Sequence, residues 1–140
     1  MIELTDEMRD ALASALTDRM PVIMTYVDAE GQPHLSFRGT AQVFSKDQLG
    51  VWARNPAGGL PGAMAAGTNP KVALLYRNTE TRVAWQFLGR GHVVTDEAAR
   101  NQIFDSSPEF ERNQDPERKG IAIVIDVDRV VMRGEVIMER

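Results

Sequence analysis

The 140-residue sequence contains no cysteine. That absence excludes a disulfide scaffold, a thiolate zinc site, an iron–sulfur cluster and a cysteine nucleophile. Histidine is nearly absent too: His34 and His92 are the only two, 58 positions apart, and no HExxH or similar ligand pair exists. No protein metal site is expected, and a lone strand histidine is more often structural or solvated than chemical. No serine lies in a GxSxG elbow. There is no excess of positive charge either. Twenty Asp and Glu against sixteen Lys and Arg give a net charge of −4, which argues against nucleic acid as a partner. No apolar run reaches the ~18–20 residues that cross a bilayer, so no membrane partner is expected. Met1-Ile2-Glu3-Leu4 lacks a basic-then-apolar leader pattern. With 43% hydrophobic and 26% charged residues, the composition is that of an ordinary globular chain. The expectation is a soluble, cytoplasmic protein with one domain over residues 1–140.

The pattern is mostly β. Leu4, Met8, Leu12 and Leu16 recur every four residues, predicting a helix over Thr5–Asp18 with Thr5 as its cap. Val22–Val27 reads as a strand and Asp28-Ala29-Glu30-Gly31 as a hairpin turn. The return strand, His34 to Phe44, alternates. Leu35, Phe37, Gly39, Ala41 and Val43 should face one way, and His34, Ser36, Arg38, Thr40 and Gln42 the other. Leu49–Arg54 gives a third strand, and Leu60–Ala66 a short helix stopped by Gly67. Strands at Lys71–Arg77 and Arg82–Val94 follow, then a helical pair through Arg112, then strands at Ile121–Val127 and Val130–Met138. About seven strands at hairpin spacing, with few helices, predict a mainly β (α+β) antiparallel split barrel. Val22–Val27 and Ile121–Val127 are apolar at successive positions. Their second face should therefore be covered, which is the expectation for a homodimer.

Two places could hold chemistry. Gly89-Arg90-Gly91 lacks the third glycine of a dinucleotide fingerprint and lies within a strand, so a bend or bulge is the better reading. The polar row His34, Ser36, Arg38, Thr40 lies in the strand before Ala53-Arg54-Asn55-Pro56 and the Gly58-Gly59 loop. An arginine beside a glycine-rich loop with free amides can cradle an anion. A solvated strand face next to an ordinary turn has the same sequence pattern.

The order of elements resembles the pyridoxamine 5′-phosphate oxidase-like split barrels, which bind a flavin or deazaflavin. The carriers are Val27-Asp28-Ala29-Glu30-Gly31-Gln32-Pro33, Leu35-Ser36-Phe37-Arg38-Gly39, Val51-Trp52-Ala53-Arg54, Asn69-Pro70-Lys71-Val72-Ala73-Leu74-Leu75 and Phe87-Leu88-Gly89-Arg90-Gly91. The resemblance implies a homodimeric flavin-type oxidoreductase that passes hydride between FMN and a small-molecule substrate. A deazaflavin-dependent reductase is the alternative, as is a non-catalytic module for flavin, haem or another small molecule. No side chain is singled out as catalytic, since the cofactor supplies the reactivity. By the same resemblance Ser36, Arg38, Ala53, Arg54 and Asn55 hold the phosphate, with Gly58, Gly59 and Leu60 forming the loop. Lys71 is a further basic candidate, and Gln86, with its neighbour Trp85, reaches the ring from the partner subunit. The loop Ala57-Gly58-Gly59-Leu60-Pro61 carries no basic side chain, so the phosphate would rest on Arg38, Arg54 and backbone amides.

Overall fold

The computed structural model describes residues 1–140. The elements run α1 (Asp6–Ser14), β1 (Val22–Val27), β2 (Pro33–Arg38), β3 (Gln42–Ser45), β4 (Gln48–Ala53), α2 (Gly59–Ala66), β5 (Lys71–Arg77), β6 (Ala84–Val94), α3 (Glu97–Asp105), α4 (Glu109–Asn113), β7 (Ile121–Met132) and β8 (Glu135–Glu139). All eight strands join one antiparallel sheet in the order β2-β1-β5-β6-β7-β4-β3, with β8 added on β7. The twelve-residue β7 pairs with β6 along one edge. Its other edge is shared between β4, opposite residues 121–126, and β8, opposite residues 129–132. The two ends of the sheet, β2 and β3, are consecutive in the chain and do not pair, which leaves the barrel split.

Alternation places one face of each strand inside. Val22 and Met24, Val72 and Leu74, Trp85 and Phe87, Ile123 and Ile125, and Leu49 and Val51 form a continuous buried core. Met8 and Leu12 of α1, and Leu60 and Met64 of α2, complete it. Helix α3 lies on the other face of β4 and β7, where Ile103 and Phe104 cover Trp52, Ala122 and Val124. The apolar run Ile121–Val127 thus has its second face covered from within the same chain.

Thr5 caps α1 by accepting from the Met8 amide at 3.1 Å. The helix is regular only to Ser14, short of the expected Asp18. One irregular turn then closes in a Schellman pattern, with Met20 N donating to Ala15 O and Arg19 N to Leu16 O. Gly67 stops α2 in the left-handed region, as its position predicts.

Three strand expectations are corrected. His34–Phe44 is two strands, because the Thr40 hydroxyl donates to Trp52 O at 3.1 Å and accepts from Trp52 N at 2.9 Å. Those bonds hold Gly39–Ala41 as a passage from one end of the sheet to the other. The faces of β2 are also reversed. Ser36 pairs with buried Met24, whereas Leu35 and Phe37 pair with Thr25 and Ile23 on the outer side and are 72% and 67% exposed. Finally, the last turn lies at Arg133-Gly134, both at positive φ, and not at Asp128-Arg129. This yields eight strands where about seven are expected.

Candidate functional site

Arg38 ends β2 just where the chain crosses the split. Its Nε is buried without a hydrogen-bond partner. Burial lowers its pKa, and the nearby Tyr26 and Glu111 partly offset that effect. Glu111, on α4, lies against Gly39: a Cβ there would stand 2.5 Å from Glu111 Oε1. Tyr26, on β1, reaches the start of α2 in the same way, since a Cβ on Gly59 would lie 2.0 Å from its hydroxyl. Only glycine permits that approach. Gly58, the N-cap of α2, is extended, and no side chain caps the helix. Tyr26 thus touches the uncapped start of α2 and lies within charge-interaction range of the half-buried Arg38 guanidinium.

The other candidates fall into separate groups. Ser36 shares the inner face of β2 and is exposed. Arg54 and Asn55 follow β4 as exposed residues, and Asn55 Oδ1 accepts from Ala57 N at 3.0 Å to shape the turn. The side chains of Ala53 and Leu60 are in the core, so only their backbones face this region. Lys71 and Gln86 stand on the outer face with Leu75. Trp85 is buried in the barrel, stacked on Tyr76 with ring centroids 5.3 Å apart. Within one chain, then, the Arg38 group and the Lys71–Gln86 group are not brought together.

Two clefts flank these groups. One of about 390 Å³ opens on the outer face between Thr25, Lys71, Leu88 and Arg129. The other, about 330 Å³, lies between the β1–β2 hairpin and α2; of its residues the sequence singles out His34 and Gly59 but not Tyr26 or Asp28. There the Tyr26 and His34 rings stack at 4.8 Å and 5°. His34 Nε2 lies 2.8 Å from Asp28 Oδ2, while Asp28 Oδ1 accepts from the Glu30 and Gln32 amides at 2.9 Å each. The His34 bond, followed by the Gln32 amide, holds the Asp28 carboxyl below the usual carboxylate range. The one available signal was register: a hairpin turning at Asp28–Gly31 sets Tyr26 opposite His34.

No group of three or more His, Asp or Glu side chains is placed to hold a metal. No helix is long and apolar enough to cross a membrane.

No family model matches the sequence, and neither does any curated protein. Solved structures do match over nearly the whole chain. General stress protein 26 from Bacillus anthracis superposes with a TM-score of 0.69 at 14% identity, covering 96% of this chain and 99% of that one. An FMN-binding protein from Syntrophomonas wolfei gives 0.67 at 8% identity, covering 91% and 86%. A protein related to general stress protein 26, of the pyridoxinephosphate oxidase family, from Clostridium acetobutylicum gives 0.62 at 9%, covering 91% of each chain. The chain has the pyridoxamine 5′-phosphate oxidase-like split-barrel fold.

Proposed function

We propose that this chain binds FMN and acts as a flavin-type oxidoreductase on a small molecule, working as a homodimer. The observation that carries this reading is the Arg38 guanidinium, whose buried Nε has no partner. An orphaned buried donor costs about 1–3 kcal/mol. A phosphate oxygen would satisfy it and replace the solvation that burial has removed. The uncapped start of α2 presents its positive dipole end to the same region. Bound FMN would supply hydride transfer. The chain's own part is then to hold the phosphate at Arg38 and α2, with Tyr26 wedged against Gly59 to fix their spacing.

Fluorescence titration of FMN tests this. Arg38→Ala should raise the Kd roughly ten- to a hundredfold, the equivalent of losing one charge-assisted bond of about 1.5–3 kcal/mol. Arg38→Lys should fall between, since it keeps the charge without the fork. Equal affinity in wild type and Arg38→Ala would sink the cradle. Running a deazaflavin in parallel separates the two coenzymes, because both would use the same arginine.

A further inference from the structure

We infer that the cleft between the β1–β2 hairpin and α2 binds a planar heteroaromatic ring carrying an N–H donor. Its volume, about 330 Å³, is at the lower end of the ~300–1,000 Å³ usual for small-molecule pockets. One wall is the parallel Tyr26–His34 pair, and flat rings gain most from packing on aromatic faces. The opposite wall is α2 at Gly59, Gly62 and Ala63. A Cβ placed on Gly62 would meet nothing within 4 Å, so the helix leaves space there that no side chain of this chain fills.

The polar end of the cleft is selective. Asp28 accepts a hydrogen bond from His34 Nε2–H at 2.8 Å and is itself held by two backbone amides. In the neutral ring Nε2 then carries the proton, and Nδ1 is left as a lone-pair acceptor. An acceptor beside an aromatic wall asks for a ring N–H. The cleft shares Tyr26 and Gly59 with the Arg38 cradle, so its occupant would sit next to the cofactor. That it is the substrate class of the redox reaction rests on the flavin reading. That it is a binding site does not.

Benzimidazole is the probe, added at about pH 8, where an ordinary imidazole is neutral. The chain has only two histidines, so nitrogen-15 labelling of histidine gives a simple NMR readout. Saturable shifts at the His34 ring, with His92 unmoved, are expected. 1-Methylbenzimidazole, which keeps the ring and loses the N–H, should bind at least tenfold more weakly. Gly62→Leu should abolish binding while the melting temperature holds or rises, because leucine is the better helix former. Arg38→Ala should leave benzimidazole binding intact, so loss of FMN affinity in that variant and loss of the probe site are read separately. No His34 shift at millimolar benzimidazole, or an equal shift in Gly62→Leu, would overturn the inference. So would complete displacement of the probe by FMN, which would assign the cleft to the flavin ring.

Discussion

Asp115 is 7% exposed and accepts hydrogen bonds from Trp52 Nε1 at 2.9 Å, Lys119 N at 2.9 Å and Gly120 N at 2.8 Å. Arg100 lies over the Trp52 ring and donates to the Gly120 and Arg118 carbonyls. Burial alone would raise the Asp115 pKa, but the Lys119, Trp52 and Gly120 donors and Arg100 together pull it below the ordinary 3.8. A carboxyl depressed in the folded state stabilises fully above its unfolded pKa and loses that contribution as pH falls through the folded value. Urea midpoints should therefore hold down to about pH 5 and fall below about pH 4. In Asp115→Asn the acid-dependent loss should be smaller than in wild type. Asp115→Ala should cost about 3 kcal/mol at neutral pH, since it strands buried donors worth ~1–3 each. Identical midpoint–pH curves for wild type and Asp115→Asn would show that this carboxylate does not govern the acid transition.

Among the elements, β6 and α2 make opposite use of glycine. Gly89 sits at the register shift between β6 and β7, where an added Cβ would stand 2.2 Å from Asp126 O. That neighbour is backbone and cannot swing aside, so Gly89→Ala should destabilise by at least ~1–3 kcal/mol. Gly62→Ala meets open space on a helix and should stabilise by up to about 1 kcal/mol. Denaturant unfolding of the pair checks both signs. The bulge at Gly89 was legible from its place in a strand, as was the Thr5 cap from residue type. The faces of β2 were not. Leu35 and Phe37 alternate as a core-facing pair would, and only the pairing with β1 reveals that the core side of that strand is occupied by Ser36 and Arg38. The Arg133 turn was hidden similarly, because arginine carries no preference for its φ of 51°. Arg38 stood out in the sequence as a basic residue before the glycine-rich loop, but Tyr26 did not, since its contact is with Gly59 in a distant helix.

For the molecule as a whole, the outer face of β2, β1 and β5 is where large apolar side chains stand in solvent. Leu35 and Phe37 stand exposed there beside Ile23, with Leu75 next in register. Exposed apolar groups gathered on one sheet face mark an interaction surface. A second copy covering it would need to bury more than about 1,000 Å² in total. Light scattering at micromolar concentration should give the mass of two chains, and Phe37→Glu should give the mass of one. A single-chain mass for wild type would remove the dimer from the reading.

The long β7 strand carries a consequence for how the barrel comes into being. It alone joins β6 to β4, and it holds β8 as well. During synthesis the first 120 residues emerge with their two sets of strands, β3–β4 and β2-β1-β5-β6, sharing no ladder. Closure must wait for the last strands to arrive and insert between partners 68–78 and 28–45 residues upstream. Such sequence separation raises contact order and slows folding. Until then the edges of β4 and β6 are open to other chains. The interval before β7 arrives is thus the period in which this protein is most exposed to aggregation, and when a chaperone would find most to bind.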